Sequence, residues 1–77
     1  MIDTNQFLDN FRSILNIKDR ELGLGDKFRD MEEWDSLAFL SIMAMIDEEY
    51  GILINAAEFQ ELHTLGDIEA FINQHRQ

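Results

Sequence analysis

The ten residues Leu37 to Ile46, LAFLSIMAMI, contain a single polar side chain, Ser41. The chain has no proline. Asp35 and Ser36 precede the run with short polar side chains that can accept hydrogen bonds from the unpaired N–H groups of a first helical turn, and Gly51 follows as a C-terminal stop. This pattern predicts a helix from Asp35-Ser36 to about Tyr50. A helix that is apolar nearly all round is either buried or gives one face to a partner. Ala38, Ser41, Met45 and Glu48 or Glu49 form one stripe at i, i+3/i+4 spacing, small, flexible and then acidic, and we assign that stripe outward. Leu37, Leu40 and Ala44, with the row Phe39, Met43, Ile46 and Tyr50, are then expected to face the core.

Such a helix needs packing partners, and a 77-residue chain has room for one core. A chain of this size buries roughly 60% of the surface its unfolded form exposes. The first partner is an amphipathic segment with Phe7, Leu8, Phe11, Ile14 and Leu15 on one face, which predicts a helix over about 4–16 with Asp3 or Thr4 as N-cap. Beyond Gly51, Ile52-Leu53-Ile54 has no second strand to pair with and is expected to be a buried connector. Asn55 with Glu58 and Thr64 with Asp67 have the spacing of an N-cap and a third-position acid, opening short helices near 56–62 and 65–75. Leu65, Ile68, Phe71 and Ile72 mark the inner face of the last one. Residues 17–34 show no clean period, but Ile17, Leu22, Leu24, Phe28, Met31 and Trp34 can anchor them across a bundle. The expected fold is all-α: a four-helix bundle with a long loop between helices I and II and a short third helix, in one domain spanning residues 1–77.

Charge narrows the function. The formal net charge is -10, and five of the six basic residues, Arg12, Lys18, Arg20, Lys27 and Arg29, precede position 30. Residues 30–75 carry acids and no lysine or arginine, a surface that repels phosphate backbones and anionic lipid and favours basic protein partners. The same acids serve solubility. The chain has no cysteine, no basic and apolar leader, and no run near the roughly 18 apolar residues of a membrane span, so a cytoplasmic protein without a membrane span is expected.

Catalytic patterns are missing. His63 and His75 are the only histidines and neither sits in a recognisable triad motif. Glu32-Glu33 and Asp47-Glu48-Glu49 are adjacent acids that point to different helix faces, the arrangement of a solvated surface. No calcium loop, phosphate-binding glycine loop or metal-ligand spacing is present. What remains is Ser36. At a helix N-terminus the N–H groups and the helix dipole favour negative charge, so a phosphodiester on this hydroxyl would be stabilised. An ordinary capping serine would occupy the same place, and local physics leaves the two readings open.

Asp35-Ser36-Leu37 lies ahead of an apolar helix ending in Glu48-Glu49-Tyr50-Gly51-Ile52, with His63-Thr64-Leu65-Gly66-Asp67-Ile68 beyond. In these features, and over its whole length, the chain resembles the acyl carrier protein family. The resemblance implies 4′-phosphopantetheine attached to Ser36, with Asp35 and Leu37 as its motif neighbours. It implies a carrier rather than an enzyme, holding acyl groups as thioesters on the arm. The implied partners are a magnesium-dependent phosphopantetheinyl transferase, an acyl-loading ligase or acyltransferase, and a downstream synthase or transferase with a basic or apolar docking surface. The carrier would act as a monomer, and its opening methionine and four helices favour a discrete protein.

Departures from the family pattern shape further expectations. Ala38 and Ser41 stand where carriers of fatty acid synthesis usually have acids, leaving Asp47, Glu48 and Glu49, so docking through Ala38, Ser41, Met45 and these acids should depend less on charge. The third helix opens with Asn55-Ala56-Ala57 rather than proline and acids. Phe59 replaces a usually small residue near the acyl pocket, which suggests a partly filled cavity and short or polar cargo. Trp34 before the aspartate resembles carriers of polyketide-like or other specialised pathways, whereas a peptidyl carrier more often has glycine and histidine before its serine. The alternative reading is an unmodified acidic helical interaction module with the carrier fold.

Overall fold

A computed structural model, describing residues 1–75, places four α-helices in the order α1 (Thr4–Leu15), α2 (Ser36–Tyr50), α3 (Ala56–Gln60) and α4 (Leu65–His75). A single 3-10 turn, Phe28–Asp30, interrupts the long loop between α1 and α2. Helix α1 packs against both α2 and α4.

The caps explain where the helices begin and end. The Asp3 side chain accepts from the Gln6 N–H and starts α1, while Asn16 adopts a left-handed conformation (φ 57°) that ends it. The Ile17 N–H then reaches back to the Arg12 carbonyl at 3.0 Å and turns the Ile17 side chain into the core. Gly51, at φ 69°, ends α2 in the same left-handed region. Asn55 and Glu58 form the expected reciprocal capping box at α3. At α4, the Asp67 N–H donates to Thr64 Oγ1 at 3.1 Å, and Asp67 Oδ2 accepts from the backbone N–H groups of His63 (2.9 Å) and Thr64 (3.1 Å). Those two N–H bonds, His63 first, hold the Asp67 carboxyl below the usual carboxylate range.

The core is built from Phe7 and Phe11 of α1, Ile42 and Ile46 of α2, and Leu65, Ile68 and Ile72 of α4, with Phe28 from the loop. The loop is laid over this bundle as its apolar anchors suggested: Ile17 and Leu22 are buried, and Met31 and Trp34 pack half-buried against the core. Leu24 is exposed. Its segment is fixed by backbone instead, since the Gly66 N–H donates to the Leu24 carbonyl at 2.8 Å and the Leu65 N–H to the Asp26 carbonyl at 3.0 Å. A Cβ at Gly66 would lie 3.0 Å from that Leu24 oxygen, so a larger residue would push the two backbones apart by a few tenths of an ångström and glycine fits this close approach best. The amino terminus is tied to α4 as well, through Ile2 N–H to Asn73 Oδ1 (2.9 Å) and Thr4 Oγ1 to Glu69 Oε2 (2.5 Å).

Two expectations are corrected. Helix α2 is rotated relative to the assignment made from its sequence: Ala38 and Met45 are each only 7% exposed, whereas Leu37 and Leu40 are 72% and 62% exposed and Ala44 also faces out. The reason is the pair of isoleucines. Ile42 and Ile46 bury completely, and Ala38 and Met45 share their stripe at i, i+4, i+7 and i+8. Ser41 is half-buried at the margin, while Asp47, Glu48 and Glu49 are exposed as expected. Phe39, Met43 and Tyr50 pack half-buried against the core. The second correction is the connector after Gly51: Ile52 is buried, but Leu53 is 81% exposed.

Candidate functional site

At the N-terminus of α2 two adjacent residues divide the available roles. Asp35 is the N-cap: its backbone is extended (φ -153°, ψ -174°) and its Oδ1 accepts from the Ala38 N–H at 2.8 Å. Ser36 is therefore the first residue inside the helix and has no capping work to do. Its side chain is exposed, and Oγ has no hydrogen-bond partner among the described residues. The hydroxyl stands at the positive end of a fifteen-residue helix with its lone pairs and proton free.

Ser36 opens onto a cleft of about 410 Å³ between the start of α2 and α3. Trp34 and Phe39 wall it on the α2 side and Phe59 on the α3 side, with Asp35, Arg29 and Gln60 contributing polar groups. Beneath the cleft the rings are closely interlocked. Phe59 is only 3% exposed and lies 5.2 Å from Phe28, 5.1 Å from Phe39 and 6.0 Å from Trp34, centroid to centroid. Trp34 in turn stacks nearly parallel to Phe11 at 6.2 Å. Aromatic side chains thus form one packed cluster along the cleft beside Ser36.

Arg29 completes this wall. Its Nη2 donates to the Phe59 carbonyl at 2.8 Å and its Nη1 to the Leu62 carbonyl, satisfying acceptors at the C-terminal end of α3. Its guanidinium carbon lies 4.8 Å from the Phe28 ring centroid and 5.3 Å from that of Phe59. Sequence reasoning missed Arg29, Phe39 and Gln60 as cleft residues. A signal for Arg29 was present, since it is the last cation before a long stretch that has none.

The residues weighed as catalytic do not converge on Ser36. Neither histidine lines the cleft: His63 is exposed beside Arg29, and His75 stacks on Phe71 at 4.0 Å with Nδ1 2.9 Å from the Phe71 carbonyl oxygen. Among the described residues no group of three His, Cys, Asp or Glu could hold a metal ion, and no helix is long and apolar enough to cross a membrane. A larger hollow of about 580 Å³ lies in the loop between α1 and α2, away from Ser36. It is bordered by an ion pair in which Arg20 Nη2 meets Glu33 Oε1 at 2.9 Å, and the Arg20 hydrogen bond lowers the Glu33 pKa. That pair fastens the loop and carries no nucleophile.

Comparison with known proteins agrees with this geometry. A family model described as a phosphopantetheine attachment site matches residues 5–72, most of the chain. The solution NMR structure of a holo acyl carrier protein from Geobacter metallireducens matches with a TM-score of 0.78 and 21% sequence identity, covering 91% of this chain and 80% of that one. At that identity the likeness establishes the shared fold. No curated protein matches the chain. The exposed hydroxyl and the cleft beside it suit a covalently attached arm, since the serine is accessible and an apolar wall with polar margins adjoins it.

Proposed function

We propose, from the premise that the chain belongs to the phosphopantetheine attachment-site family and so bears that prosthetic group, that Ser36 is the attachment point and acyl intermediates are the cargo. The observation that carries this reading is the separation of roles at α2: Asp35 caps the helix, so the Ser36 hydroxyl is exposed and unused. In loading, a phosphopantetheinyl transferase with magnesium joins Ser36 Oγ to the phosphorus bearing the pantetheine of coenzyme A. The pyrophosphate P–O bond breaks, adenosine 3′,5′-bisphosphate leaves, and the hydroxyl proton passes to a base of the transferase. When bound, the group supplies a terminal thiol that holds an acyl chain as a thioester. The protein's own residues contribute the attachment point, the adjoining wall of Trp34, Phe39 and Phe59, and a docking surface.

That surface is the exposed side of α2. Leu37 and Leu40, followed by Ala44, Asp47 and Glu48, form an outward stripe that starts beside Ser36, with Glu49 adjoining it. Its first turns are apolar and only its last turn is acidic, so partners should present apolar contacts near the serine and basic ones further along. Those partners are the transferase, an acyl-loading ligase or acyltransferase, and a downstream synthase or transferase. The rings packed around Phe59 favour short or polar cargo, and with Trp34 they favour a specialised, polyketide-like pathway over general fatty acid synthesis. Residues 1–77 act as one carrier domain, as a monomer, in the cytoplasm.

Intact mass after incubation with coenzyme A, magnesium and a broad-specificity transferase tests the reading. One phosphopantetheine's added mass on the wild type and none on Ser36→Ala is expected. An unchanged wild-type mass, or equal gain on Ser36→Ala, would favour the unmodified interaction module or another acceptor.

A further inference from the structure

Among the described residues, Arg29 is the only cation lining the cleft into which Ser36 opens. No acid pairs with it among the described residues: its contacts are the Phe59 and Leu62 carbonyls, His63 Nδ1 at 3.5 Å from Nη1, and the faces of Phe28 and Phe59. A guanidinium has five N–H donors. Among the described residues, these contacts leave Nε–H and one N–H on Nη2 without an acceptor. The side chain is thus held in position by neutral groups that do not compensate its charge.

A phosphodiester on Ser36 would add negative charge to a chain already at -10, in a stretch from 30 to 75 that has no lysine or arginine. The acid of the cleft, Asp35, is already directed at the Ala38 N–H of its own helix. Resting on the reading of Ser36 as attachment point, we propose that Arg29 is a seat for the phosphodiester of the prosthetic group, which lays the first part of the arm along Trp34, Phe39 and Phe59. The phosphodiester is the anion fixed at the serine, whereas any charge on the cargo sits at the far end of a flexible arm. A guanidinium with two free N–H donors and a fixed orientation suits a phosphate oxygen pair. Because Arg29 is exposed, the contact is screened by salt and competes with a partner enzyme, so the seated arm can be lifted for reaction.

The test compares unloaded protein with protein bearing phosphopantetheine, in wild type, Arg29→Gln and Arg29→Lys, each confirmed by intact mass. Readouts are the Arg29 Nε–H resonance, the emission of Trp34, which is the sole tryptophan, and the thermal midpoint. Loading the wild type is expected to shift the Nε–H resonance and the Trp34 emission. It should also raise the midpoint on the order of 2–4 °C at low salt, a gain reduced at about 0.5 M salt. Arg29→Gln should take up the same mass without the gain, and Arg29→Lys should keep part of it. Equal gains in wild type and Arg29→Gln, with Nε–H unmoved, would overturn the seat. So would an Nε–H shift that appears only after a succinyl group is placed on the thiol, which would assign Arg29 to a cargo carboxylate. Should Arg29→Gln fail to fold, the wild-type Nε–H shift and its salt dependence decide alone. No mass gain in the wild type is a different result and would remove the attachment reading itself.

Discussion

Phe59 does at one position what several residues do elsewhere in the core. It touches Phe28, Trp34 and Phe39, receives Arg29 on its carbonyl, and closes the floor of the cleft beside Ser36. Phe59→Ala should cost about 3–5 kcal/mol, measured by urea unfolding, against a total stability on the order of 4–12 kcal/mol for a chain of this length. If the ring is also what limits the cargo, the variant that remains folded should gain more stability from a long acyl chain than the wild type does. Asp67 is a different kind of residue, since its charge is used locally at the start of α4. Its folded pKa lies below its unfolded value, so the unfolded state binds more protons in the interval between them. The stabilisation is therefore fully present above the ordinary carboxylate pKa and is lost as pH falls through the folded value. Asp67→Asn keeps an acceptor oxygen without the titration. Its stability measured from neutral pH into acid should fall less steeply than the wild type's.

Helix α2 separates what pattern shows from what packing decides. Its existence and its two ends were legible, because Asp35, Ser36 and Gly51 are chemically distinct from the apolar run they enclose. Its orientation was not, because Leu37 and Leu40 are as apolar as Ile42 and Ile46, and a helix apolar on all sides carries little information about which side is inward. The stripe of Ala38, Ser41, Met45 and the acids Glu48 or Glu49, small, flexible and then acidic, suggested an outward face, and the close packing of two isoleucines overrode it. The short helices were legible down to their caps, since Asn55 with Glu58 and Thr64 with Asp67 each encode a reciprocal pair of hydrogen bonds. The Arg29 clamp was not, because it joins the loop to α3 over thirty residues and leaves no local spacing to read. The orientation of α2 has a direct test. Leu40→Glu should leave stability within about 0.5 kcal/mol yet reduce transferase kcat/KM by about tenfold or more, the scale of a docking hot spot. Ile42→Ala should cost about 2–5 kcal/mol in unfolding. If Leu40→Glu unfolds the protein while Ile42→Ala is silent, the outward stripe is wrong.

As a whole molecule, the chain spends its apolar residues on one core shared by α1, α2 and α4 and leaves a second, smaller set of leucines outside it. Leu37, Leu40 and Leu53 are each more than half exposed, and the first two follow the serine within the first turns of α2. The loop from 17 to 34 is part of the fold rather than a lid: it contributes Ile17, Leu22 and Phe28 to the core and is bonded to the start of α4 through Leu24 and Asp26. The result is a small frame that fixes one helix N-terminus, one exposed hydroxyl and one aromatic-walled cleft in register. The proposed function rests on what that frame holds at position 36. The most direct measurement is the intact mass of the folded protein after treatment with coenzyme A, magnesium and a broad-specificity phosphopantetheinyl transferase, beside Ser36→Ala treated identically. The account predicts one phosphopantetheine on the wild type and none on the variant. A wild-type protein that stays unmodified, or a Ser36→Ala protein that gains the same mass, would contradict it.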